Sequence, residues 1–466
     1  MAVGGAAGQQ RCGRHLRTAG MALWLSAVAI WTPVLAQDVL PRLSFDLSSG
    51  LTYNDNPDLA TTGSDPRVTL DSRFGLTLNT TTREERFILG FSGVARIGSD
   101  DAFALRDPGL NLSYSRQNPN SSISVTGSYE RTPIDLFEPV SSSDGMVNTT
   151  DILAKTGTII SRTAGLNFAT GLQRPLGFDL VANVSSRDYS DTTDPDVYGS
   201  TSQSLKTGLH LRFEGGREVS VTANASASDF DDATDTTRNN SDLSLGYTQD
   251  VRPDLTLQAS LGQSMASTRK NGALDSESNG TVGSLGLQVD LANGSADVTL
   301  TSDRDSLGAR QTLSFGRSME LPSGKLATNF GFSARSGGDA QLVGNLSYMQ
   351  DLPADSFGVS LSRQITLNED DQDVVNTVLG MTYQHKINDL SQLGLSVNLQ
   401  AMAGGGDSDV SSVTRQTVTT SYSRDLTAEW KMTTGYEFRS LDEAGSNLAQ
   451  SNSVFLTVSR KFILRP

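Results

Sequence analysis

Two histidines lie beyond residue 36, His210 and His385, and they are the natural place to look for catalysis. Nucleophilic hydrolysis needs an imidazole within hydrogen-bond reach of a hydroxyl, with an acid orienting the imidazole in turn. Ser202 and Ser204 stand near His210 in sequence, but serine recurs so often along the chain that this proximity singles out nothing. His385 closes a run of alternating apolar residues beside Lys386, with no nucleophile marked by position. The expectation is therefore that the chain is not an enzyme and carries no cofactor. Acids cluster twice, as Asp229, Asp231, Asp232 and Asp235 and as Glu369, Asp370, Asp371 and Asp373. Calcium takes about six to eight oxygens, and neither cluster has the glycine pivot and distal glutamate of a dedicated calcium loop. Solvated loop charge is the preferred reading, and no metal is expected.

A third set of charged residues is more informative because of where its members fall in the apolar alternation. Arg73, Arg86, Arg96, Arg187, Lys206, His210, Arg212, Lys431, Glu437 and Arg439 all fall on the polar parity of alternating runs, as do Arg67 and Asp71. In an extended strand, alternate side chains point to opposite faces. If the apolar parity faces lipid, these charges line a wet interior, where they select ions or pair with neighbours to stiffen the wall. The opposite assignment costs ~2–4 kcal/mol for each Arg or Lys at mid-membrane.

The elements that place them are seen most clearly between Asp373 and Met402. Val375, Thr377, Leu379, Met381 and Tyr383 alternate with Asn376, Gly380, Thr382 and Gln384. After the polar break Lys386–Ser391 the alternation resumes as Leu393, Leu395, Val397 and Leu399, with Ser396, Asn398 and Gln400 between. A period of two over two such runs describes a β-hairpin with one apolar and one polar face. Membrane-spanning strands of barrels need about 9–11 residues. Comparable runs recur along the whole chain and give about 22 strands, with a margin of two either way.

Connections alternate in kind. Tight ones include Asn118-Pro119-Asn120, Gly215-Gly216, Arg252-Pro253-Asp254, Pro322-Ser323-Gly324 and Leu352-Pro353-Ala354, all with turn-forming residues. Longer acidic loops fall between them, at Asp188–Asp196, Asp229–Asp235, Asn368–Asp373, Asp407–Asp409 and Ser440–Ala449. Short turns on one side and long loops on the other predict an all-β fold, a transmembrane antiparallel up-and-down β-barrel. A β-solenoid would need a fixed repeat length, which is absent.

Residues 1–36 read as an export signal. Arg11, Arg14 and Arg17 precede the apolar stretch Met21–Trp31, and Val34-Leu35-Ala36 suits cleavage before Gln37. The only cysteine, Cys12, lies in this segment. Residues 37–466 are expected to form the barrel. Loss of residues 1–36, with three arginines and no acid, takes the formal charge from −15 to −18. That sign disfavours nucleic acid as a partner.

The layout resembles Gram-negative outer-membrane barrels. Gly50-Leu51-Thr52-Tyr53-Asn54-Asp55-Asn56-Pro57 is similar to the opening segment of β-barrel porins of the second type, some of which accompany exopolysaccharide export. The last run, Val454, Leu456, Val458 and Phe462, resembles the carboxy-terminal signal read by barrel-insertion machinery, but continues through Ile463–Pro466. The resemblance implies residence in the outer membrane and contact with its lipid and lipopolysaccharide. It also implies a porin-like channel for passive passage of small polar solutes. The alternative is a structural or accessory barrel working with polysaccharide-export components.

Only Gln37–Arg42 separate the expected cut from the first strand, so no plug domain is expected. A wide ring then needs narrowing from elsewhere. The stretch Thr132–Thr156 sets Asp135, Glu138, Asp144 and Asp151 beside Ile134, Leu136, Phe137 and Met146. The expectation is a constriction loop in which Leu136 and Phe137 pack inward and the acids face luminal bases. A loop standing out in solvent is the competing reading.

Overall fold

The computed structural model describes residues 41–98, 104–133, 157–192, 197–368, 372–405 and 411–464. The expected export signal lies outside the described residues. Twenty-two strands form one sheet, each antiparallel to its neighbours in sequence, and the first pairs with the last to close the ring. The first quarter holds β1 (Arg42–Asn54), β2 (Arg67–Thr81), β3 (Glu85–Gly98), β4 (Ala104–Asn118), β5 (Ser121–Pro133) and β6 (Thr158–Thr170). Next come β7 (Leu176–Ser190), β8 (Ser200–Phe213), β9 (Arg217–Phe230), β10 (Thr237–Arg252) and β11 (Leu255–Lys270). They are followed by β12 (Ala273–Leu291), β13 (Gly294–Asp305), β14 (Gly308–Leu321), β15 (Gly324–Arg335) and β16 (Gln341–Asp351). The ring is completed by β17 (Asp355–Leu367), β18 (Asp373–Asn388), β19 (Ser391–Gly404), β20 (Val413–Asp425), β21 (Trp430–Glu443) and β22 (Ala449–Leu464). The fold class and the strand number are those expected from the alternation.

Period-two patterning decides which face is which. Between β18 and β19 the register sets Leu379 opposite Leu399, Met381 opposite Val397 and Tyr383 opposite Leu395, so the apolar parities of adjacent strands fall on one surface. That surface is the outside of the ring. Leu261 is 67% exposed, Leu243 58% and Phe330 53%, values that a protein in water would not sustain over a continuous band. Lipid is the solvent that suits such a band. Strands run from 11 residues in β16 to 19 in β12, longer than a span requires, so several project beyond the bilayer.

Short turns gather at one end, for example Pro322-Ser323 and Asp389-Leu390, and the long connections at the other. This alternation breaks in two places on the long-loop side, where β11–β12 and β13–β14 are joined by only two residues. At the first, Asn271 and Gly272 take φ of +51° and +76°. Both central residues are left-handed, the geometry that matches the twist of a two-residue hairpin. At the second, the Asp305 carboxylate accepts the Leu307 N–H at 2.9 Å and fixes Ser306-Leu307.

Candidate functional site

Inside the ring the side chains are small and polar. On β8 the inward residues Ser202, Ser204, Lys206, Gly208, His210 and Arg212 alternate with Leu205, Leu209 and Leu211, which are 46–49% exposed on the outside. Hydroxyls pair across neighbouring strands, as in Ser202 with Ser228 at 2.9 Å, Ser260 with Ser284 at 2.7 Å and Ser128 with Thr163 at 2.6 Å.

The charged residues singled out by parity fall into distinct settings. His210 is held between two acids, with Nδ1 2.8 Å from Glu218 and Nε2 bonded to Asp179. Arg212 donates from Nε to the other Glu218 oxygen at 2.8 Å and from Nη1 to the Gly171 carbonyl at 2.8 Å. Both imidazole nitrogens are thus engaged by carboxylates. Ser204 instead accepts from Asn183 at 3.5 Å, and Ser202 is bonded to Ser228, so the Ser–His pairing weighed from sequence is not assembled. Arg96 forms a two-pronged pair with Asp71, at 2.7 and 2.9 Å. Arg439, 8% exposed, lies 3.6 Å from Glu437. Arg187 lies opposite Ser161 and Ser200. Arg73, Arg86 and Lys206 are exposed, and Lys431 is half-buried near the β20–β21 turn.

Residues of the long-loop end are packed far more tightly. Leu59, from the β1–β2 loop, joins Val374, Met402, Val413, Leu441 and Ala449 in a buried apolar cluster over the ends of β18–β22. The next group around the ring is ionic. Arg335 of β15 donates to Asp305 of β13 at 2.6 Å and to Asp373 of β18 at 3.1 Å, and Arg310 of β14 also bonds Asp373. Asp373 therefore reaches past two intervening strands. Arg238 of β10 donates to the carbonyls of Leu367, at 3.4 Å, and of Asn368. Its guanidinium lies 5.4 Å from the Phe230 ring centroid, and Phe230 packs edge-on to Tyr198. Ile159, 1% exposed, packs with Tyr189 and Val197. These contacts join distant parts of the rim and narrow the mouth at that end.

The sequence places a constriction elsewhere, in the loop within Thr132–Thr156. Asp135, Leu136, Phe137, Glu138, Asp144 and Asp151 lie outside the described residues. The residues that narrow the long-loop end, Leu59, Arg238, Asp305, Arg310, Arg335 and Asp373, were not singled out as a mouth. Gln400, expected to face water, points inward but is only 2% exposed, because β19 reaches this packed layer. The acidic clusters form no metal-ligating group among the described residues. Asp373 is taken up by arginines, and Asp232 caps its own loop. The Asp232 carboxylate accepts the backbone N–H of Thr236 at 2.8 Å and of Thr234 at 3.2 Å, and the Thr236 hydroxyl at 2.6 Å. Partial burial raises the Asp232 pKa, but these hydrogen bonds outweigh it and hold the carboxyl below its usual range.

Neither a protein-family model nor a curated protein matches the chain, so the likeness to porins of the second type gains no support. Solved structures do match. The chain is similar to the FrpB iron transporter from Neisseria meningitidis (F3-3 variant), with a TM-score of 0.55 and 10% identity, over 92% of this chain and 82% of that one. It is similar to the ferric-catecholate import receptor Fiu from E. coli K12, with a TM-score of 0.55 and 10% identity, over 90% and 81%. The ferripyoverdine receptor of the Pseudomonas aeruginosa outer membrane matches with a TM-score of 0.51 and 12% identity, over 90% and 72%. At these identities the likeness is one of fold. The fold is that of Gram-negative outer-membrane barrels, in keeping with the apolar outer band.

Proposed function

We propose that the protein is an outer-membrane channel that passes small polar solutes through its lumen, with the mouth at the long-loop end held narrow by side-chain contacts. The observation that carries this reading is the inward face itself. Strand after strand turns Ser, Thr, Gly and Asn to the interior, residues that bond to water or to one another and leave room for solute. The apolar outside belongs to membrane lipid, with lipopolysaccharide in the outer leaflet and the barrel-insertion machinery as the further expected partners. Incorporation into a planar bilayer tests the reading. Stable, resolvable conductance steps support it, and an electrically silent, fully inserted barrel overturns it.

A second reading is favoured by the contacts across the mouth. Bonds such as Arg238 to Asn368 hold the end shut until something displaces them, as an import system opened by its ligand would require. The fold is shared with structures described as an iron transporter and as a ferripyoverdine receptor. In this case conductance would stay low until a ligand was added at the long-loop side. The accessory role in polysaccharide secretion has no structural observation in its favour.

A further inference from the structure

Charge is unevenly distributed around the inward face. Arg73 of β2, Arg86 of β3 and Lys431 of β21 share one sector, and none forms an ion pair among the described residues. Lys461 of β22 stands with them, 3.6 Å from Asp46. The opposite sector carries acids. Asp242 and Asp250 on β10, and Asp297 and Asp303 on β13, have inward parity, next to outward Leu243, Val251 and Val298. None of these four acids has a cationic partner among the described residues. Strands β2 and β13 are eleven apart in a ring of 22, as are β10 and β21, so the two sectors face each other across the full width.

Screening decides what this segregation does. The Debye length is ~8 Å at physiological salt. A ring wider than the aqueous 16–18-stranded porins sets its walls farther apart than that. The acids on one wall therefore do not neutralise the bases on the other, and each wall sets its own local potential.

We propose that the lumen is divided lengthwise into two electrostatic tracks. The basic wall centred on Arg73 takes small solutes bearing a carboxylate or phosphate, and the acidic wall of β10–β13 takes cations. This rests on reading the lumen as a solute path. Arg73 is well placed for the first role, because it lines two wall cavities of about 470 Å³ each. One is shared with Ser48, Lys431 and Lys461, the other with Ser92, Asn111 and Ser128. A guanidinium grips a carboxylate or phosphate with two parallel hydrogen bonds. The hydroxyls and the amide beside it suit a polar remainder. Of the acids in these cavities, Asp46 faces Lys461, Glu429 faces Arg460, and Glu130 accepts the Thr132 hydroxyl. Asp425 and Asp107 line them too.

Charged thiol reagents read the local potential without requiring conductance. In a Cys12→Ser background, Ser48→Cys reports on the Arg73 wall, since Ser48 lies opposite Arg73 in the register. Ser244→Cys reports on the Asp242 wall, two residues along the same inward face. Each folded barrel, in detergent, is treated with an anionic and with a cationic methanethiosulfonate. The anionic-to-cationic rate ratio should be about ten-fold or more higher at the first position, as expected for potentials of several kT. It should fall several-fold there with Arg73→Gln, and converge between positions in 1 M salt. Equal ratios at the two positions in low salt would overturn the proposal. Conductance is scored separately on the same barrels. Segregated reactivity in a silent barrel sinks the transport reading alone, and uniform reactivity in a conducting one sinks the tracks alone.

Discussion

Arg238 donates from Nη1 to the Leu367 carbonyl, 3.4 Å away, although β10 and β17 are seven strands apart in the ring. A bond from a charged donor contributes ~1.5–3 kcal/mol. Arg238→Ala should therefore shift the mouth towards its open state by about ten-fold or more. In single-channel records this would appear as more frequent or larger openings. Unaltered gating and conductance would mean that the bond restrains nothing.

Asp373 is the shared acid of a second restraint, accepting from both Arg310 and Arg335. Asp373→Asn takes the carboxylate from Arg310 and leaves Arg335 with Asp305 alone. The expected loss is on the order of 2 kcal/mol, below the range for fully buried pairs because these groups stay partly wetted. The Gly405 N–H donates to the Asp373 carbonyl, and its hydrogen exchange should accelerate. Exchange as slow as in the wild type would show that the carboxylate does not hold this end together.

The β9–β10 loop should loosen in acid. Asp232 has its carboxyl pKa held below the usual 3.8, so its contribution is fully present above that value and is lost as pH falls through the depressed one. At neutral pH the Thr234 and Thr236 amides should be protected. Asp232→Asn should weaken that protection at neutral pH and leave less to lose in acid. Equal protection of the variant and the wild type at pH 7 would remove the carboxylate from the account.

On β19, single cysteines at Gly394, Ser396 and Asn398 should react with a water-soluble reagent while those at Leu395 and Val397 should not. Position 400 should break the alternation and stay unreactive, because Gln400 is buried at the mouth. Reaction at 395 and 397 equal to that at 396 and 398 would mean the strand faces the other way.

The ring, the strand number and the sidedness of each strand were all legible in the sequence. They depend on a period of two that runs through every segment, from Leu43 to Leu456, and each hairpin can be read locally. Part of the site was within reach as well. The Gly215-Gly216 turn sets the register that brings Arg212 opposite Glu218, and the same counting places Asp179 near His210. The mouth was not legible. Arg238 meets Leu367, and Leu59 meets Val413, only because the ring closes and its rim folds inward, and no pattern along the chain encodes that. The two-residue turn at Asn271-Gly272 carries the same Asn-Gly hairpin signal as Asn293-Gly294, but on the side where long loops are expected.

The pairing of β1 with β22 sets Leu43 opposite Leu464, more than four hundred residues away, while every other pairing joins consecutive strands. The growing sheet can therefore zip hairpin by hairpin, but it has two open edges until the final strand arrives. Such edges are templates for pairing with other chains. A chain cut short before Ala449 would leave the backbone groups of β1 and β21 unpaired and would be expected to associate edge to edge. Completion of this barrel is thus a single late event at one seam, and the danger of misassembly ends only when that seam is sealed.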